Sequence, residues 1–317
     1  MRPALKPGDV IDVIAPGYGV EPEVLQKAEV ALRQFGFQPR IPAELLAPVD
    51  FHSNSDAARW AFLKSALLSK DSSAIWCVRG GYGSNRLLPQ LAKLSKPKRQ
   101  KLLIGISDIT SLHQFLNQVW RWPTLHAALL DRVAKGNLPD QHLQETLRCL
   151  RGEQVEVVHQ LQALNPAARA CDKTKLGLTG VVRGGNLTTL QSSIGTPWSP
   201  KFRGCFVFLE DIGERGYRVD RMLEQFVQAG LFRGAKGVLF GHFTGGEEPT
   251  TAAQAGHSRV PEALQRFATL QQDLPVWSGI ESGHGADLRP VPLQTPAVLQ
   301  RGILSIQTSL RPTIELP

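Results

Sequence analysis

The apolar positions of the first 150 residues fall into short continuous runs separated by stretches with helical spacing. "VIDVIA" (10–15) reads as a strand, and "EPEVLQKAEVALRQFG" follows with a helical apolar period, a proline near its start and Gly36 at its end. "SNSDAARWAFLKSALLSK" has cap residues ahead of an apolar helical face. "AIWCV" (74–78) reads as a buried strand, and "SNRLLPQLAKL" reads as a helix despite Pro89. A "KLLIG" strand and an "ITSLHQFLNQVW" helix complete the series. Strict alternation of strand and helix predicts a parallel sheet covered on both faces, with ligands expected outside the carboxyl ends of its strands. "RGGYG" and "GISD" both lie at such ends.

Between about 150 and 180 the pattern changes to short polar or alternating segments, "EQVEVVHQLQAL" and "NPAARACDKTK". This predicts an N-terminal α/β domain over 1–155, a linker over 156–178 and a second domain over 179–317, in keeping with a chain of 317 residues. The second domain offers the strands "GCFVFLE", "KGVLFG", "PVWSG" and "AVLQRGILSIQT", with helices at about 217–230 and 259–271. No repeat of solenoid length occurs.

Composition narrows the class without choosing a function. With 42% hydrophobic and 20% charged residues, the chain is expected to fold around a sizeable core. The first apolar run is short and interrupted by Asp12, which predicts a strand in place of a signal or membrane helix. Cys77, Cys149, Cys171 and Cys205 are widely spaced with no CxxC pair, so neither a zinc site nor a disulfide framework is predicted, and a cytoplasmic location is expected. The net charge is +8, but only "KPKRQK" (96–101) forms a basic run, and no zinc-finger, RNP-type or basic-zipper pattern accompanies it. Neither nucleic acid nor a membrane is expected as a partner, and the positive balance suits a small polyanionic substrate.

Two stretches carry candidate chemistry. "WCVRGGYGSNRLL" lacks the third glycine of a dinucleotide fingerprint and the Gly-Lys-Ser/Thr of a P-loop, but glycines after a strand can turn tightly and aim an N–H at an oxyanion. In "GISD", Ser107 follows Gly105 at the end of a strand and a helix starts at once, as in a nucleophile elbow. Ile109 replaces the second glycine of that motif, so Ser107 reads either as a helix cap or as a nucleophile. A serine nucleophile needs a base and an orienting acid. His242, after "KGVLFG", and His284, in the glycine-flanked loop "SGIESGHGADLRP", are the candidate bases. Glu210 ends an apolar strand, with Asp211, Glu214 and Asp220 as competitors for the acid.

Taken together, "WCVRGGYGSNRLLP", "IGISDITSLH", "VVRGGNLTTLQSSIGTP", "FLEDIGERGYRVDRML" and "GIESGH" resemble, in order and spacing, the serine LD-carboxypeptidases, or muramoyltetrapeptide carboxypeptidases, and their relatives the microcin C immunity peptidases. The resemblance covers about residues 8–295. It implies a flavodoxin-like or amidotransferase-like parallel-sheet N-terminal domain and a smaller β-rich α/β C-terminal domain. It further implies a triad of Ser107, Glu210 and His284 and an oxyanion hole from the backbone amides of Gly81 and Asp108, with no metal or cofactor. The expected partner is a murein tetrapeptide or related small peptide, and the expected assembly a homodimer.

Arg79, Tyr82, Arg86 and Arg183 are candidate substrate contacts, the arginines as a carboxylate clamp. The chain departs from the family pattern at "APGYGV", "LHAALL" and "VPLQTP", which bears on the substrate more than on the chemistry. A microcin C immunity-type peptidase cleaving aminoacyl nucleotide amides and a non-catalytic murein-peptide-binding protein are the alternatives. A glutamine-amidotransferase-like enzyme would need a cysteine at the elbow, where Ser107 stands.

Overall fold

The computed structural model describes residues 4–174, 176–249 and 256–308. The chain divides into two compact units, one running to Val155 and including Arg289–Gln294, the other comprising Glu156–Leu288 and Thr295–Gln307. Both mix helices with a sheet.

In the first unit the strands are β1 (Val10–Ile14), β2 (Gln38–Arg40), β3 (Ser72–Cys77), β4 (Leu102–Gly105) and β5 (Thr124–His126). They are parallel, in the order β2-β1-β3-β4-β5, which is the flavodoxin-like order. Val291–Leu293, numbered β12 from its place in the chain, closes the sheet antiparallel to β5. The helices are α1 (Pro22–Gln34), α2 (Asp56–Leu68), α3 (Leu88–Leu91), α4 (Thr110–Phe115), α5 (Leu130–Ala134) and α6 (Asp140–Arg151). Ala28, Leu32, Leu130, Leu147 and Leu150 of α1, α5 and α6 pack with Ile11, Val13, Ala74, Trp76 and Ile104. Ile75 and Cys77 are also fully buried, and side chains alternate along a strand, so both faces of β3 are covered.

The expected "SNRLLPQLAKL" helix is a 3-10 turn over Ser84–Leu87 running into the four-residue α3, with Pro89 in the first turn, where its missing N–H breaks no bond. The "ITSLHQFLNQVW" helix is α4 followed by a π-helical turn, Leu116–Trp120, which ends at Arg121 in the left-handed region.

The second unit contains β6 (Glu156–Gln160), β7 (Gln162–Ala163), β8 (Leu178–Asn186), β9 (Cys205–Ile212), β10 (Gly237–Thr244), β11 (Val276–Ser278), β13 (Pro296–Gln300) and β14 (Ile303–Gln307). Their order is β6-β14-β13-β8-β9-β10-β11-β7, with β8 to β11 parallel and the flanking strands antiparallel. The helices are α7 (Pro166–Lys173), α8 (Leu187–Gln191), α9 (Gly216–Gln228) and α10 (Val260–Leu270). Leu187, Leu190, Val219, Leu223, Phe226, Val260 and Phe267 of α8, α9 and α10 pack on Val207, Leu209, Val238, Phe240 and Val276. These strand residues alternate, so Phe206, Phe208 and Glu210 of β9 face away from the helices.

Residues 156–178, expected as a linker, form β6, β7 and α7 of this unit: β6 pairs with β14 at the far end of the chain, a long-range partner that local pattern does not reveal. "AVLQRGILSIQT" is a hairpin of β13 and β14, turned at Arg301 (φ 52°) and Gly302 (φ 75°).

Candidate active site

Ser107 lies two residues past the end of β4 and is the first residue of a 3-10 turn. Ile106 is extended and Ser107 has φ 66°, and the turn leads into α4. An N-cap residue sits in the extended region and bonds a backbone amide of the first turn; here Ile106 holds that position and no side-chain cap bond is made. A left-handed, half-buried serine between a strand and a helix is the geometry of an elbow that presents its hydroxyl.

The surroundings are shaped around that turn. A Cβ on Gly105 would lie 2.9 Å from the Ile109 side chain, and one on Gly80 would lie 2.8 Å from Ser107 Cβ and 3.1 Å from its Oγ. His113, fully buried on α4, has its Nε2 2.8 Å from the Gly105 carbonyl oxygen. Burial holds that imidazole neutral, with its pKa pushed down to about 4.

The glycine loop after β3 lies beside this turn. Tyr18 N–H donates to Gly80 O (2.9 Å), and Ser84 N–H donates to Asp108 Oδ2 (2.8 Å). Gly81 has φ 88°, and a Cβ there would enter the Tyr18 ring at 2.3 Å. The "APGYGV" segment therefore buttresses the loop directly. Asp108 is buried, which raises its carboxyl pKa against the lowering effect of the Ser84 contact.

In the second unit, Glu210 is fully buried on β9 and its Oε2 lies 2.7 Å from Nδ1 of His284, whose side chain is 13% exposed. A carboxylate only accepts, so Nδ1 carries the proton and the neutral ring keeps Nε2 as its basic nitrogen. The His284 loop rests on the β10 backbone. His242 N–H donates to Ser282 O (3.0 Å), and a Cβ on Gly241 would meet Ser282 O at 2.5 Å.

The competing acids are otherwise engaged. Asp211 points to the helix side, where it accepts from Asn186 Nδ2 (2.9 Å), Thr188 N (2.9 Å) and Thr188 Oγ1 (2.8 Å). Burial, reinforced by the adjacent Glu210, pushes its pKa up to about 6. Glu214 pairs with Arg218 at 3.4 Å and Asp220 with Arg266 at 3.6 Å. His242 lines a cavity of about 570 Å³ with Phe243, Val260, Pro261 and Leu264. Cys77 is buried inside β3 with its thiol pKa raised, which is unsuited to a thiolate nucleophile.

Ser107, Gly81 and Asp108 thus belong to the first unit, and Glu210 and His284 to the second. Of the substrate candidates, Arg79 donates to Gly19 O at 3.2 Å and stands 5.8 Å over the Tyr18 ring. Arg86 is paired with Asp56 at 2.6 Å. Arg183 is buried and donates to Lys201 O at 3.3 Å, a structural contact. Tyr82, 39% exposed, lies beside Phe51 and His52. Tyr18, Arg59 and His113 bear on the site but were not singled out by sequence. For Arg59 a signal existed: it shares the face of α2 carrying Leu63, Ala66 and Leu67, and a charge on an apolar stripe is anomalous.

Comparison with known proteins adds an independent line. The LD-carboxypeptidase N-terminal domain family matches residues 11–127, and the LD-carboxypeptidase C-terminal domain family matches residues 179–299. A putative carboxypeptidase of Rickettsia conorii is 34% identical over 277 residues, 86% of this chain and 82% of the relative. The crystal structure of muramoyltetrapeptide carboxypeptidase from Oxalobacter formigenes superposes with a TM-score of 0.79 at 27% identity, covering 94% of this chain and 98% of that one. The microcin C7 self immunity protein MccF bound to glutamyl sulfamoyl guanosine shares the fold, with a TM-score of 0.78 at 20% identity and coverage of 96% and 97%.

Proposed function

The chain belongs to the LD-carboxypeptidase family, and from that premise we propose that it releases the C-terminal D-alanine of murein tetrapeptides, with Ser107 as nucleophile, His284 as base and Glu210 as the group that orients it. The observation that carries this reading is the 2.7 Å bond from His284 Nδ1 to the buried Glu210, because it fixes the tautomer a general base requires. The left-handed Ser107 supports the nucleophile's role.

In this mechanism His284 Nε2 takes the hydroxyl proton as Ser107 Oγ attacks the carbonyl before the D-amino acid. The amides of Gly81 and Asp108 stabilise the tetrahedral oxyanion, a contribution of about 3 kcal/mol per donor in other serine hydrolases. The imidazolium, stabilised by Glu210, returns the proton to the leaving amine. Water activated by the same base then hydrolyses the acyl-enzyme. A murein tetrapeptide carries several carboxylates, and a net charge of +8 favours its capture. The same reading makes the protein a cytoplasmic homodimer acting in peptidoglycan recycling; among the described residues no helix is long and apolar enough to cross a membrane.

The test is to incubate the purified protein with L-Ala-D-Glu-meso-diaminopimelate-D-Ala and follow free D-alanine by mass spectrometry. Wild type should release it, and Ser107→Ala should fold normally with turnover lower by about 10^6-fold, the cost of removing a triad nucleophile elsewhere. Activity of that variant within about tenfold of wild type would remove Ser107 from the mechanism.

A further inference from the structure

We propose that Arg59 is a positioning residue for catalysis, a buried fork that holds the glycine loop so that the Gly81 amide faces the developing oxyanion. This rests on the assignment of Gly81 as an oxyanion donor. Arg59 is 1% exposed and lies on α2 among apolar neighbours. A buried charge is unfavourable unless its donors are satisfied, and an aliphatic side chain would fill the same space without that penalty. The reason for a guanidinium here lies in what it holds.

Its donors reach two loops at once. Nη1 donates to Gly83 O at 3.0 Å, at the end of the glycine loop, and to Pro16 O in the segment after β1. Nε donates to Asn54 O at 3.1 Å, and Nη2 pairs with Asp56 Oδ1, which fixes the plane of the fork from within α2 and its start. Gly83 has φ 134°, and a Cβ there would stand 2.6 Å from Arg59 Nη1, so the fork lies directly against the loop backbone.

Three further contacts complete the frame. Tyr18 N–H holds the Gly80 carbonyl, Ser84 N–H is bound to Asp108, and Gly17 is packed so closely that a Cβ would meet Gly80 O at 2.4 Å. The loop is therefore fixed at residues 80, 83 and 84. Between these anchors the Gly81 N–H makes no hydrogen bond among the described residues. A lysine at 59 would keep the charge, but a single ammonium cannot serve Pro16, Gly83, Asn54 and Asp56 with one planar geometry.

The experiment compares wild type, Arg59→Lys, Asp56→Asn and Leu63→Ala, the last a destabilised control on the same buried face of α2. Three quantities are read: kcat for D-alanine release, the rate at which a fluorophosphonate labels Ser107, and the Kd of the tetrapeptide measured by calorimetry in the Ser107→Ala background. Arg59→Lys is expected to lower kcat and the labelling rate by about 100-fold or more, within the range for a lost or misplaced oxyanion donor, with Kd unchanged within about threefold. Asp56→Asn should shift both rates in the same direction by less, and Leu63→Ala should lower Tm while leaving kcat intact.

The inference is overturned if Arg59→Lys keeps wild-type kcat, if Leu63→Ala loses kcat equally, or if the loss resides in Kd. Should Arg59→Lys fail to fold, Asp56→Asn decides, and unchanged rates in it overturn the inference. A wild-type protein that is not labelled at Ser107 defeats the proposed function together with this inference. Normal labelling of Ser107 with an indifferent Arg59→Lys defeats this inference alone.

Discussion

Gly80 and Ser107 approach each other so closely that a single added methyl tests the geometry of the proposed nucleophile. In Gly80→Ala the new Cβ would lie 2.8 Å from Ser107 Cβ and 3.1 Å from Oγ, and Gly80 is not in the left-handed region, so the strain falls on the serine. The expected outcome is a kcat lower by about 10- to 100-fold, with an overpacking cost of about 1–3 kcal/mol in stability. Steady-state kinetics and thermal unfolding check it; a wild-type kcat would show that the hydroxyl relocates without consequence. At this scale the sequence exposed the candidate types but not their orientation. Glu210 and Asp211 are adjacent on one strand and must point to opposite faces. Which face carries the imidazole depends on the loop after β11, and which carries α8 depends on a long-range crossover, so the choice between them emerges only with the fold.

The element formed by β4, the Ser107 turn and α4 contains a titrating group of its own. His113 is held neutral by burial, its pKa at about 4 against an ordinary 6.5, with Nε2 donating to Gly105 O. A depressed folded pKa means that the unfolded chain binds the proton first. The stability His113 contributes is complete above about pH 6.5 and is lost as pH falls toward about 4, on the order of 3 kcal/mol in all. His113→Gln keeps an N–H donor at the position of Nε2 but does not titrate. Denaturant unfolding of the two proteins should therefore show a stability difference that moves in favour of the variant as pH drops from 7 to 4. A constant difference would mean that His113 is not buried neutral. Asp211 works with the opposite sign, since a carboxyl raised to about 6 gains protons on folding, and comparison with wild type cancels it.

β2, β5, α5 and α6 of the first unit went unpredicted, β2 and β5 being only three residues long, whereas its β1, β3, β4 and the helices that follow them were legible from runs and periods of their own, from "VIDVIA" to "KLLIG". The elements of residues 156–178 were not. The alternation of β6 is present in "EQVEVVHQLQAL", but its partner β14 lies at the far end of the chain, and β7 is two residues long.

For the whole molecule, a parallel N-terminal sheet and a smaller β-rich C-terminal domain were expected; the first sheet has β1 to β5 parallel in flavodoxin-like order with β12 antiparallel at its edge, and the second sheet is the larger of the two, an eight-stranded mixed sheet whose parallel centre carries Glu210. The choice of substrate within the family was less legible, because it rests on surface side chains and not on periodicity. An aminoacyl nucleotide needs a flat aromatic face for its base, worth about 1–3 kcal/mol per stacked base. Trp277 is fully buried and hydrogen-bonded to Asp172, and Trp198 is half-buried on a loop. Beside the glycine loop, Phe51 is tilted 45° to Tyr18 and 53° to Tyr82, so neither pair offers parallel faces between which a base could slide. A peptide rich in carboxylates meets a favourable net charge of +8 instead. The expected result is efficient release of D-alanine from the murein tetrapeptide and a kcat/KM at least about 100-fold lower on an aminoacyl sulfamoyl adenylate, a difference of about 2.7 kcal/mol in transition-state stabilisation. Side-by-side assays of the two substrates decide the matter. Equal or reversed efficiencies would show nucleotide recognition, and selective impairment of the adenylate reaction in Trp198→Ala would then identify the stacking face.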